Sequence, residues 1–180
     1  KKCKAELLYP TRDWTRIWSL ARCKGITNES RSFLFRMLHN LHPTKARLHR
    51  LNPRLNPLPY CRFCEDQELE ESLAHVFSTE CGQSTQVMEW LKSILSKFDP
   101  NISYNNIISL QLEPTNPDCQ LECVFLIAET LSIIWDKRHR NNTMELENVK
   151  ADIRARAETL QKSTRFGSNG TNLVTMIDCS

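Results

Sequence analysis

The stretch CRFCEDQELEESLAHVFSTEC, residues 61–81, separates a basic, proline-containing first third of the chain from a longer helical remainder. It has the form C-x2-C-x10-H-x5-C, with Cys61, Cys64, His75 and Cys81 in metal-ligand order. Two cysteines separated by two residues can grip one ion from a tight turn, and a later His and Cys complete a tetrahedral Cys3His set. Soft thiolates favour zinc over calcium or magnesium. Four filled positions leave none for an activated water, so the expected Zn2+ is structural. Leu69, Leu73, Val76 and Phe77 form a helical apolar stripe through EDQELEESLAHVF. At 100° per residue His75 lies about 200° from Leu73 and faces away from that stripe, which suits a ligand better than a packed helix histidine.

Outward from this stretch the chain reads as helices. Trp14, Ile17, Trp18 and Ala21 recur at helical spacing after a cap at Asp13, with Gly25 placed to end the run. A second helix is expected over 29–41, with Leu34, Met37, Leu38 and Leu41 inward and His42-Pro43 as its stop. Thr44 can cap a short basic helix, TKARLHRL, before the proline-rich linker NPRLNPLPY. Beyond the cysteines, Val87, Trp90, Leu91, Ile94, Leu95 and Phe98 share one stripe ended by Asp99-Pro100. SYNNIISLQL fits a short helix or a strand. Two further helices are expected, over 118–140 (Leu121, Val124, Phe125, Ala128, Leu131 and Trp135 inward) and 144–161 (Leu146, Val149, Ile153, Leu160). The expected fold is mostly α, a helical domain with an embedded small zinc knuckle. Its segments are 1–54 (helices and basic segment), 55–82 (knuckle), 83–162 (helical bundle) and 163–180 (flexible tail).

The net charge of +3 is modest but unevenly placed. From Arg31 to Cys64 there are seven cations, Arg31, Arg36, Lys45, Arg47, Arg50, Arg54 and Arg62, and no acid. From Glu65 to Cys81 there are six acids and no Lys or Arg. Arginine and lysine bind phosphate and rings accept stacked bases, so these seven cations with Tyr60 and Phe63 form the candidate nucleic-acid-binding set. The plain alternative is a solvated cationic face with Tyr60 and Phe63 packed under the knuckle. No run reaches the roughly 20 apolar residues of a membrane span, and KKCKAELLYP lacks the features of a signal peptide. Eight cysteines could pair into four disulfides, and Asn28, Asn101, Asn141 and Asn169 begin sequons. A helical chain of 180 residues needs no such staples, so reduced thiols in the nucleus or cytoplasm are expected. Cys119 and Cys123, at i, i+4, are read as buried thiols of a core helix, and His39, His42 and His49 as surface or nucleic-acid-contacting positions.

The run SFLFRMLHNLHPTKARLHRL, the C-x2-C pair, E-S-x-x-H-x-F-x-x-x-C and the later IIWDKRHRN together resemble the zinc-binding region that follows the polymerase in non-LTR (LINE-type) retrotransposon reverse transcriptases. The resemblance covers about residues 14–142. It implies a nucleic-acid-binding domain that positions template RNA or target DNA for target-primed reverse transcription, joined to the rest of a reverse-transcriptase polypeptide or surviving as a domesticated derivative. No Asp-Asp of a polymerase palm occurs, and Val124 stands where a nuclease lysine would follow Pro117-Asp118 and Glu122. The chain alone is therefore expected to be no enzyme. The rival is a protein-interaction module that uses the acidic block 65–71 and helices 118–161.

Overall fold

The computed structural model describes residues 11–23, 25–64, 68–162 and 177. These residues are mostly helical, and none of them forms a strand. The helices are α1 (Trp14–Ala21), α2 (Asn28–Leu38), α3 (Lys45–Leu51), α4 (Leu73–Val76), α5 (Thr85–Leu95), α6 (Tyr104–Ser109), α7 (Gln120–His139) and α8 (Leu146–Lys162), with a 3-10 turn at Pro117–Cys119. No helix among the described residues is long and apolar enough to cross a membrane.

Everything is arranged around α7. Most of its residues are buried, on every side of the helix, from Cys123 through Trp135 to Arg138. A helix that is apolar all round belongs inside other helices, and α1, α2, α5 and α8 pack around it. One hydrophobic cluster results, drawing residues from the segments before, within and after the cysteine stretch: Leu34 and Met37, Val76 and Phe77, Leu91 and Ile94, Phe125 and Ile134. One carboxylate at the centre of this core is fully paired. Glu129, fully buried, accepts from Thr27 N and Oγ1 at the start of α2 and from Arg156 of α8. It ties three helices together at a depth where a lone carboxylate is costly.

The side-chain caps follow the sequence closely: Asp13, Thr27, Thr44, Ser72 and Ser103 each accept from a backbone N–H in the first turn of the helix they precede. The helix ends differ more. α2 stops at Leu38 because Asn40 takes the left-handed conformation at φ 52°. Leu41 N then donates to Arg36 O and Asn40 N to Met37 O, the paired bonds of a Schellman end. This turn throws Leu41, expected inside, out to 45% exposure and carries His42 in. Asn141, at φ 56°, ends α7 in the same way. Leu121, also expected inside, is 46% exposed, because it lies in the first turn of α7, before the helix enters the core. SYNNIISLQL resolves to helix over α6. The expected helix through EDQELEESLAHVF is confined to α4, since the chain before it is held by backbone pairing between Tyr60 and Glu70. The tail 163–180, expected to be flexible, lies outside the described residues except for buried Ile177.

His42 was expected at the surface and is fully buried. Its ring packs between Phe33 and Trp135, with centroids 4.6 and 4.5 Å away, and its Nε2–H donates to Phe33 O at 3.1 Å. Its Nδ1 has no partner. Burial lowers its pKa from 6.5 to about 4, opposed by the Phe33 bond and assisted by Arg36, His139 and Arg47. The folded chain thus refuses a proton that the unfolded chain accepts near pH 6.5. The resulting stability is present above that pH and declines as pH falls toward 4, by about 2 kcal/mol between pH 7 and 5. Denaturant titrations across this range should show that loss, and a His42→Phe chain should lack this component of the pH dependence.

Candidate metal centre

Three short pieces of backbone bring the four candidate ligands together. Cys61 and Cys64 flank a turn whose first arm pairs with the chain ahead of α4. Cys61 N donates to Leu69 O at 2.8 Å and Glu71 N to Pro59 O at 2.9 Å, around an antiparallel bridge between Tyr60 and Glu70. His75 sits on α4, whose cap Ser72 accepts from His75 N at 3.1 Å. Cys81 lies just before α5, with its carbonyl taken by Ser84 N, Thr85 N and Thr85 Oγ1. Each arm is thus pinned by hydrogen bonds of its own, which is what a preformed ligand set requires.

The four ligand atoms lie within 4.8 Å of one another. Cys64 Sγ is 3.6 Å from Cys61 Sγ and 3.2 Å from His75 Nε2. Sulfurs bound about 2.3 Å from one tetrahedral ion stand roughly 3.8 Å apart, so the cluster could bind a metal. Cys61, His75 and Cys81 are buried and Cys64 is half-buried. The six described cysteines are all free thiols. Cys123 is buried in α7, its pKa raised to about 12 by burial, while Cys119 is half-buried. Among the described residues no other group of three or more potential ligands converges.

A residue that the ligand spacing could not indicate completes the centre. Arg138, in the last turn of α7 and 3% exposed, aims its guanidinium at the sulfurs. Nη2 donates to Cys61 Sγ at 2.9 Å and to Glu71 Oε2 at 2.8 Å. Nη1 donates to Cys81 Sγ at 3.3 Å and to Gln83 Oε1 at 3.2 Å. Its flat face lies over Phe63, 4.5 Å from the ring centroid, and Arg62 covers the same ring at 4.7 Å. Arg62 also donates to Arg138 O. Burial works against the charge on Arg138, but Glu71 and Cys61 outweigh it and raise its hold on the proton. The shared environment of the two buried sulfurs pushes the Cys61 thiol up and the Cys81 thiol down, with the Arg138 guanidinium favouring the thiolate at both. A divalent ion with three thiolates would carry one net negative charge, which the guanidinium of Arg138 beside Cys61 and Cys81 would balance.

Glu71 links this centre to the basic segment. Its other oxygen accepts from Lys45 N at 3.1 Å and its carbonyl from Ala46 N at 3.3 Å, so it shares with Thr44 the capping of α3. At 7% exposure it cannot belong to the exposed acidic docking face expected of it. Of that block Glu68 and Glu70 are exposed, and 65–67 lie outside the described residues.

The candidate nucleic-acid residues occupy different settings. Arg50 and Arg54 are exposed and Lys45 and Arg47 half-buried, and no side chain of these four forms a hydrogen bond or ion pair with described residues. Tyr60 is 38% exposed. Phe63 is engaged by two guanidinium groups, as the packed alternative expected, and Arg62 is committed to Phe63 and Arg138. Arg31 and Arg36 lie apart on α2, and Arg31 donates to Cys23 O and Asn28 Oδ1.

Replacing Arg138 by Met keeps the packing volume and removes four hydrogen bonds. Metal affinity, measured by competition with a chromogenic chelator, should fall about 10- to 100-fold, as when other partners of metal ligands are lost. Stripping the metal should speed amide exchange through residues 59–82, whereas the middle of α7 stays protected by its packing. Hydrogen-exchange mass spectrometry reads both regions in one experiment. No family model, curated protein or solved structure matches this chain.

Proposed function

We propose that the cluster binds one structural zinc ion and that the chain is a nucleic-acid-binding domain, the C-terminal zinc-binding part of a LINE-type reverse transcriptase or of a domesticated derivative. In this reading it positions template RNA or target DNA for target-primed reverse transcription, and the polymerase chemistry belongs to the rest of that polypeptide. The observation that carries the reading is the coupling of the Cys3His cluster to α3 through Glu71. A metal clamp that also caps a short helix with uncommitted cations serves to aim those cations. Lys45, Arg47, Arg50 and Arg54 carry no internal acid, and Tyr60 stands at the entrance to the knuckle with its ring partly open. Three sulfurs and one imidazole favour zinc among the common biological ions. With all four positions filled by protein, the ion polarises no substrate, so the chain alone is not the catalyst.

The rival reading, a protein-interaction module, loses part of its acidic surface with Glu71 and gains the exposed Leu51, Leu55 and Leu58. These leucines alternate with Arg50 and Arg54, an arrangement that also suits contact with sugars and bases between phosphates.

Metal analysis of the purified protein should give one zinc per chain. Log affinity for duplex DNA against log salt should fall with a slope of roughly −3 to −4.5, corresponding to three to five neutralised phosphates. An Arg47→Gln, Arg50→Gln chain should show a shallower slope and weaker binding to all sequences alike, because phosphate contacts carry no sequence information. Unchanged nucleic-acid affinity in that variant, together with loss of a protein partner on Glu68→Lys, Glu70→Lys, would establish the rival instead.

A further inference from the structure

Helices α1 and α2 enclose an open hollow of about 670 Å³ on the outside of the molecule, lined by Trp18, Arg22, Arg31, Ser32, Phe35 and Arg36. Its rings form a tier. Trp18 stacks on His39 with centroids 5.1 Å apart, and Phe35 meets His39 at 4.4 Å and Trp18 at 6.1 Å. Trp18 is in turn backed by buried Trp14 at 5.7 Å, so the tier is anchored to the core. Phe35 is nevertheless 50% exposed, an unusual position for a phenylalanine on a packed helix. No acid among the described residues lines the hollow. Three arginines do, in different states of commitment. The side chain of Arg22 is exposed and makes no hydrogen bond or ion pair with described residues. Arg36 donates from Nε to Ser32 O, and its two terminal nitrogens make no hydrogen bond with described residues. Arg31 is braced by Cys23 O and Asn28 Oδ1.

We propose that this hollow is a stacking site for one unpaired base of a single-stranded nucleic acid, with Phe35 as the open face of the platform and Arg22 and Arg36 on the flanking phosphates. The inference rests on the proposed nucleic-acid function and locates a second contact surface, separate from α3. A ring tier with cations at its edge and no carboxylate matches a planar, polyanionic ligand. It accepts any base, because every base has a π-face. A duplex keeps its bases stacked inside and offers this hollow only phosphates. The two surfaces therefore divide the work: α3 holds backbone of either form, and the α1–α2 hollow discriminates in favour of unpaired strand.

The test compares a fluorescein-labelled oligothymidylate with a duplex of equal length at one salt concentration, using wild type, Phe35→Ala, Phe35→Trp and the Arg47→Gln, Arg50→Gln chain. Phe35 is half exposed, so its truncation leaves the fold intact, which thermal melting monitors. Phe35→Ala should weaken the single strand roughly 5- to 150-fold and leave the duplex unchanged, the loss expected for one base–aromatic stack. Phe35→Trp should restore the affinity, with quenching of its own fluorescence. Single-strand binding that depends on Arg47 and Arg50 but not on Phe35 would overturn the stacking site and leave the general reading standing. Binding of neither nucleic acid by wild type would overturn both. An acidic, tyrosine-rich peptide that binds in a Phe35-dependent way, where the oligonucleotide does not, would reassign the hollow to a protein partner.

Discussion

The structure depends on one buried cation. Arg138 reaches two sulfurs of the candidate metal cluster, a carboxylate and an aromatic ring with a single planar group. Four hydrogen bonds from its two terminal nitrogens and the stacked ring make such a charge tolerable at this depth, with only the buried Nε–H unpartnered among the described residues, and a guanidinium suits this because its donors are fixed in one plane. Glu71 and the thiolates need the arginine as much as it needs them. Removing either side leaves a charge without compensation in a dry environment, which is why these groups act as one unit.

Through this unit the two halves of the molecule hold each other in place. The core helix α7 is located by burial on all sides, and its last turn carries Arg138 to the knuckle. The knuckle returns Glu71, which caps α3. A short helix with one buried residue, Ala46, has little packing of its own and would fray in water. Docked on Glu71 and Thr44, and with His49 Nδ1–H tied to Asn56 O, it keeps a defined direction. The cations of α3 and those of α1 and α2 then lie on separate surfaces of one rigid core. Under the proposed function, this separation would let a single domain meet two features of one nucleic-acid ligand.

Buried polar groups elsewhere obey the same logic at lower stakes. Glu129 joins α7 to the start of α2 and to α8 with all its charge answered. His42 solves the opposite problem, staying neutral between two rings with one hydrogen bond made and one nitrogen unpartnered. Asp99 closes the loop after α5 by accepting from Asn101 N and Glu113 N.

Local chemistry was legible in the sequence because it depends on neighbours only. The caps at Asp13 and Thr44, the apolar stripe of α5 and the four candidate ligands at their spacing are all determined within a few residues of chain. Leu41 and His42 were misplaced because a left-handed Asn40 exchanges their sides, and asparagine adopts that conformation only where the next residues find partners. The helix read through residues 65–77 was shortened because pairing between 59–61 and 69–71 satisfies the same backbone groups in another way. Arg138 and Glu71, separated by 67 positions, carry no mutual signal in the chain, nor do Trp18 and Phe35 beside Arg22. The sequence by itself determined which residues can hold a metal and which segments coil. Tertiary structure alone decided which charges are buried against the sulfurs and which rings remain open, since both depend on how helices far apart in the chain come to share one core.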